Sequence, residues 1–327
     1  MIAFVIRRLL QSVLVMLTVA FVAFSLFNYV GDPIQAMVGQ DVSLADRAQL
    51  RKQLGLEDPV IIRFARFVGN ALEGNFGVSY RMQEPVGRLI RERLPASLEL
   101  SFIAAAFALL AGVPMGVYSG LYPRRWLSRL FLSVSLVGAA LPTFLIGILL
   151  IVFFAVLLPL LPSFGRGDVV KIGWWSTGLL TASGLKALIM PAITLGLFQV
   201  TLIMRLVRAE ILEVMRTDYI KFARARGLTN RAVHYGHALK NTLVPVITIT
   251  GLQLGQIIAF SIITETVFNW PGMGLLFVQS LQFADIPVMA TYLVLIAFFI
   301  VVINLVADLL YFAVDPRLRS DVATKAH

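Results

Sequence analysis

Six long stretches without a charged residue divide the chain: 9–31, 100–123, 130–165, 187–204, 241–264 and 286–307. A helix crossing a bilayer core needs about 20 consecutive apolar residues, so five of these stretches each predict one spanning helix. The stretch 130–165 is too long for one upright helix and holds Pro142, Pro159 and Pro162. It predicts one long or kinked span to about residue 160, then a loop, because proline removes a backbone donor and clashes with the preceding turn. A further uncharged stretch, 266–284, carries Asn269-Trp-Pro-Gly272, Gly274, Gln279, Ser280 and Gln282. Lipid offers no water to an opened backbone, so this stretch predicts an external turn followed by a short interfacial helix. The expectation is six spans, with seven as the alternative.

The polar segments between the spans have their own signals. Residues 32–96 are the one sizeable extramembrane segment, with a helix predicted over 44–54 (Ser43 as cap, Gly55 closing it) and a turn at Gly74-Asn-Phe-Gly77. Gly112, Pro114 and Gly116 in the second span permit close packing or a kink. Residues 163–186 form a second loop, with Trp174 and Trp175 suited to the membrane interface. Between the fourth and fifth spans lies a basic insert, TDYIKFARARGLTNRAVHYGHALKN, residues 217–241. Asp218 is a candidate N-cap for a helix over 219–226, and Gly227 suits a left-handed C-terminal cap. Thr229 is the next candidate cap, for a second helix over 230–240. Ala223, Gly227 and Val233 fall where the two helices would meet.

Composition agrees with the pattern: 58% of residues are hydrophobic and 14% charged, against about 25% charged in soluble domains. The first stretch is longer than a cleaved signal core, so 9–30 is expected to be retained as a span. The net charge is +10. With six spans, the face holding 1–8, 124–129, 205–240 and 308–327 carries 16 basic and 6 acidic residues, and the other face is balanced at 12 and 12. The positive-inside rule makes the basic face cytoplasmic.

The chemistry present is sparse. There is no cysteine, which excludes disulfides and thiol catalysis. There is no Gly-rich P-loop for nucleotide. His234 and His237 are spaced as half a metal site without an evident third ligand. Glu99, Glu265 and Asp308 lie at span edges, too peripheral for a proton relay. Gln199, Gln253, Gln256 and Asn304 within spans suit interhelical hydrogen bonds. A pore-like chain of this kind draws its energy from a partner. For the insert itself, a DNA-binding helix-turn-helix needs a third helix and a free groove-binding arm, and both are denied by the flanking spans. A passive loop attracted to anionic lipid gives no reason for a small-residue elbow. Two short helices at a fixed bend suit docking into a cleft, with Tyr219, Phe222 and Leu228 entering it and Lys and Arg meeting an acidic rim.

The insert resembles the EAA loop of ABC importer permeases, whose pattern is E-A-A, three residues, Gly, nine residues, then I-x-L-P. Lys221-Phe222-Ala223 stand at E-A-A, Gly227 at the Gly, and His237-Ala-Leu239-Lys240 at I-x-L-P; Lys221 replaces the acidic residue. The variant is similar to that of the dipeptide, oligopeptide and nickel permeases. Asp218-Tyr-Ile-Lys-Phe-Ala-Arg-Ala-Arg-Gly-Leu228 and His237-Ala-Leu-Lys-Asn241 carry the likeness, with Arg7-Arg-Leu-Leu10, Gly31-Asp-Pro33, Leu54-Gly-Leu56, Arg93-Leu-Pro95, Glu265-Thr-Val-Phe-Asn-Trp-Pro-Gly272 and Asp315-Pro-Arg317 extending it over nearly the whole chain. It looks most like the first of two paired permease subunits.

The resemblance implies an all-α polytopic membrane protein with six transmembrane helices and the type I ABC importer permease fold. It implies a cytoplasmic N-terminus and first span (1–31), an extracytoplasmic segment (32–96), a permease core (97–320) with its coupling loop at 208–241, and a cytoplasmic tail (321–327). The setting would be a bacterial cytoplasmic (inner) membrane with both termini inside. The implied partners are a second permease, two cytoplasmic ATPases that hold the ATP and Mg, and an extracytoplasmic substrate-binding protein. No cofactor, catalytic site, metal or nucleic acid would belong to this chain. Asp218, Tyr219, Lys221, Phe222, Ala223, Arg224, Arg226, Gly227 and Leu228 would couple to the ATPases. Di- or oligopeptides are the expected cargo, with nickel chelates, glutathione or another small solute as alternatives. A self-sufficient channel or secondary carrier is the reading from a different class.

Overall fold

The computed structural model describes the backbone of residues 2–30, 49, 52 and 57–314. The helix expected over 44–54 falls, apart from Gln49 and Lys52, outside the described residues, as does the tail 321–327. The helices in chain order are α1 (Ile2–Val30), α2 (Val60–Leu72), α3 (Val86–Leu121), α4 (Trp126–Ala140) and α5 (Thr143–Leu150), which continues in π-helical turns over Ile151–Leu157. A two-stranded antiparallel hairpin, β1 (Val170–Ile172) and β2 (Trp175–Thr177), precedes α6 (Ala182–Val214) and α7 (Asp218–Ala225). A π-helical segment (Ala232–Ala238) leads into α8 (Leu239–Val267), then α9 (Met273–Gln282) and α10 (Ile286–Val314).

The centre of the molecule is the pair α3 and α6, which run parallel. A Cβ placed on Gly112 would lie 3.0 Å from Ile203 Cγ2, one on Gly116 2.6 Å from Val207 Cβ, and one on Gly120 2.6 Å from Ile211 Cγ2. Three glycines at four-residue spacing thus meet three β-branched residues at the same spacing. Between membrane helices there is little hydrophobic drive, so van der Waals contact through small residues decides association. The Gly112–Gly120 row therefore serves close approach, and α3 continues as one helix through Pro95 and Pro114.

Among the described residues, four segments are long and apolar enough to cross a membrane: Ile6–Ser25, Val86–Leu121, Ala182–Val214 and Ile286–Ala307. The pair α4 and α5 makes a fifth if counted as one span. The 29 residues of α8 would reach about 43 Å at 1.5 Å per residue, so the arrangement is compatible with six.

One expectation needs correction. The break at Pro142 is a 111° bend rather than a kink in a single rod. Leu141 is extended (φ −85°, ψ 134°), the conformation that a following proline imposes by excluding the helical region. The stretch after Glu265 does form a turn and a short helix, α9, whose first turns pack inside the protein. Its Met273, Gly274, Leu275, Leu276 and Ser280 are buried, against α3, α8 and α10. Trp270 is buried in the turn before it, and its indole N–H donates to Ala96 O at 3.0 Å.

The hairpin is tied to α3 by one of its two tryptophans. Trp174 is exposed, but the Trp175 Nε1–H donates to Glu99 Oε1 at 3.3 Å and so faces the protein. On the same end of the bundle, the buried Asp285 carboxylate accepts from the Ser79 hydroxyl and from the Tyr80 N–H at 3.1 Å. Arg81 stacks over Phe283, 3.2 Å from its centroid. These contacts tie residues 79–81 to the start of α10. Burial, then the Asp285 charge, pushes the Tyr80 hydroxyl above its usual pKa.

Candidate functional site: a basic elbow

The elbow begins where Thr217 adopts an extended conformation (φ −69°, ψ 154°) and α7 starts at Asp218. Thr217 therefore holds the N-cap position expected of Asp218. Asp218 instead stands in the first turn, where its charge suits the helix dipole. Its Oδ1 accepts from Lys221 Nζ at 2.8 Å between two exposed side chains.

The far end of α7 closes as the sequence predicts. Gly227 has φ +79°. Its N–H donates to Arg224 O at 2.9 Å, and the Leu228 N–H donates to Ala223 O at 3.3 Å. These two reversed bonds form a Schellman cap, which satisfies the last carbonyls and requires a left-handed residue at the position of Gly227. Thr229 Oγ1 then accepts from the Ala232 N–H at 3.3 Å and opens the second arm. That arm is not a separate helix over 230–240. It passes through the π-helical segment directly into α8, because no proline or terminal cap interrupts the chain between Asn230 and Leu243.

The inner face of the elbow is apolar and buried. Ile220, Ala223, Val233 and Ala238 belong to one cluster with Ile211, Val207 and Val200 of α6 and Val117 of α3. Ala223, expected among the docking residues, points into this core and fixes the bend rather than the surface. The outer face keeps the remaining eight of the predicted residues. Tyr219 and Leu228 are each 41% exposed and Phe222 64%, with Asp218, Lys221, Arg224, Arg226 and Gly227 also at the surface. Sequence reasoning missed Tyr235, 58% exposed on the second arm; an aromatic residue amid basic ones was the available signal. Partial burial, then the Arg224 charge, holds His234 below its usual pKa.

Two acidic residues expected at span edges, Glu99 and Glu265, are buried inside the protein, 5% and 0% exposed. Glu99 Oε2 pairs with Arg166 Nη2 at 2.5 Å, and Arg166 also donates from Nη2 to Ser176 O at 2.6 Å and from Nη1 to Ser176 Oγ at 3.0 Å. Glu265 caps the start of α9 from outside that helix. Its Oε2 accepts from the N–H groups of Gly274 (2.7 Å) and Leu275 (3.1 Å), and its Oε1 from Ser97 Oγ (2.6 Å). The Met273 N–H donates to the same Ser97 Oγ at 2.7 Å. The first turn of a helix leaves such donors without partners, so a buried helix start needs acceptors of this kind. The expected interhelical bonds of the glutamines are not all present: Gln199 Oε1 and Gln253 Oε1 are buried without a hydrogen-bond partner.

Residues 112–320 match the family described as binding-protein-dependent transport system inner membrane component, and residues 1–101 match the N-terminal component of the same kind of system. The dipeptide transport system permease protein DppB of Alkalihalophilus pseudofirmus is 35% identical over 98% of this chain and 100% of its own length. The probable D,D-dipeptide transport system permease protein DdpB of Escherichia coli is 38% identical over 95% and 96%. The oligopeptide transport system permease protein AppB of Bacillus subtilis is 36% identical over 97% and 99%. Among solved structures, inward-facing forms of the MetNI methionine ABC transporter superpose with TM-scores of 0.54 and 0.56 at 20% identity, covering 69% of this chain and 96% of that one. The fold is thus that of type I ABC importer permeases, and the chain belongs to the binding-protein-dependent transport system inner membrane component family, as a membrane permease subunit of an ABC importer.

Proposed function

We propose that this chain and a second permease form the translocation path for di- or oligopeptides, driven by two cytoplasmic ATPases that dock on residues 217–241. In this reading both termini and the 208–241 loop lie in the cytoplasm, and 32–96 lies outside with a substrate-binding protein. The names of the relatives support the peptide cargo. One observation carries the coupling role. The elbow presents aromatic and basic side chains outward while its inner face is part of the α3–α6 core. A push on the outer face is therefore transmitted to the membrane helices as a rigid-body movement, the kind of two-state change that alternating access needs. Phosphoryl-transfer chemistry belongs to the ATPases.

Reconstitution tests this against a self-sufficient channel or carrier. Liposomes with both permeases, both ATPases and the binding protein are expected to accumulate a radiolabelled dipeptide only when ATP reaches the ATPases. Dipeptide flux through the permeases alone would overturn the reading.

Gly227 gives a finer test. A Cβ there would meet nothing within 4 Å, so only its φ of +79° resists substitution. A left-handed conformation costs an L-residue about 1–2 kcal/mol, and more when β-branched. Gly227→Val is expected to leave the subunit inserted while lowering ATP-driven uptake by about ten-fold. Gly227→Asn, which tolerates the conformation, should retain most of it. Wild-type uptake by Gly227→Val would refute the elbow as the coupling element.

A further inference from the structure

At the end of the bundle opposite the elbow, a cleft of about 950 Å³ opens between the first turns of α3, the turn at Gly74–Gly77 and the β1–β2 hairpin. The size is that of a small-molecule site, roughly 300–1,000 Å³. Its walls carry Arg88, Arg91, Arg93 and Lys171 against a single carboxylate, Glu92. Val86, Leu89 and Ile90 are buried in the core, which turns Arg88 and Arg91, one helical turn apart, to the surface. Among the described residues, Arg88, Arg91, Arg93 and Lys171 make no salt bridge. Arg166 also lines the cleft; it is 7% exposed, and its Nε has no hydrogen-bond partner.

Clustered like charges repel one another and raise the local concentration of counter-ions in a concave site. Among the described residues lining the cleft only Glu92 stands against these four charges, and the guanidinium groups of the three arginines are shaped for bidentate contact with a carboxylate. We propose that the cleft binds the carboxylate of a small anionic or zwitterionic solute. On the peptide reading above, on which the assignment rests, this is the C-terminal carboxylate of the cargo as it enters the path. The recessed shape favours a small solute over the acidic surface of a delivering protein. Arg166 sits behind the hairpin and over the Trp270 ring, 5.9 Å from its centroid, where a flat protein surface does not reach.

The test uses the assembled transporter in nanodiscs, with trialanine and its C-terminal amide as probes. Trp174 lines the cleft, so its emission reports occupancy, and a Trp174→Phe transporter identifies that part of the signal. Trialanine is expected to give a saturable Trp174 change, and the amide to bind about ten-fold more weakly. The triple substitution R88Q/R91Q/K171Q should weaken trialanine by at least about ten-fold and leave the amide unchanged. Uptake by the complete transporter, with binding protein saturated, should show the same split. Equal losses for acid and amide would assign the cleft to docking an acidic protein and overturn the proposal, as would no loss for either. If the wild-type transporter imports neither probe, the peptide reading fails, while the Trp174 titration with acetyl-trialanine still decides whether the cleft selects a carboxylate.

Discussion

Gly116→Val is expected to prevent the chain from reaching its folded state, so that almost no monodisperse subunit is recovered from the membrane. A Cβ at 116 would stand 2.6 Å from Val207 Cβ and 2.7 Å from Met204 O. The second contact is to backbone, so no side-chain rotation relieves it. α3 and α6 would have to separate along the axis on which they are closest. Overpacking typically costs about 1–3 kcal/mol where neighbours can shift. Here separation would also loosen the adjoining contacts of Gly112 and Gly120 and open the cluster that holds Ile220 and Val233 of the elbow. Gly69→Val in α2 serves as the control, since a Cβ there meets nothing within 4 Å. Thermal unfolding followed by size-exclusion recovery checks both variants. A Gly116→Val protein with the wild-type midpoint would show that the α3–α6 approach is not what the glycines are for.

The second large effect is expected at Arg166→Leu. Removing the guanidinium leaves Glu99 buried with only the Trp175 Nε1–H and the Gly178 N–H, each at 3.3 Å, as donors. Breaking a buried pair by deleting one partner costs about 3–5 kcal/mol, because the remaining charge keeps its desolvation penalty. The hairpin loses one of its ties to α3 in the same step, since Arg166 also holds Ser176, and keeps the weaker one from Trp175. The double substitution E99L/R166L should recover much of the loss, as the unpaired charge is then gone. A double variant no more stable than Arg166→Leu would mean that packing of the arginine, not its charge pairing, supports the hairpin.

Much of the candidate site was legible because its signals are local. Gly227 sits at a helix end where only a left-handed residue closes the chain, and Thr229 follows it as a cap; both work through hydrogen bonds spanning five residues or fewer. The exposed Tyr219, Phe222 and Leu228 beside basic residues were legible from amphipathic pattern alone. The continuity of the second arm with α8 was not. Helix propensity on either side of residue 240 is similar, and no residue type marks the absence of a stop. Ala223 carried the family motif but not its orientation; that depends on the face α7 turns to α6.

The sequence by itself determined the membrane class, the long helices α1, α3, α6 and α10, an interruption at Pro142 without its 111° bend, and the elbow at Gly227. Each rests on the apolar content of one window or on the φ preference of one residue, and neither needs knowledge of distant parts of the chain. Only the tertiary structure decided that Glu99 and Glu265 are buried. Their partners lie 67 and 168 residues away at Arg166 and Ser97, and a carboxylate at the edge of an apolar stretch reads the same whether it meets water or a buried donor. It likewise decided that the first turns of α9 pack inside the protein, and that three glycines of α3 face three β-branched residues of α6. Close packing depends on the register between helices, which no single segment contains.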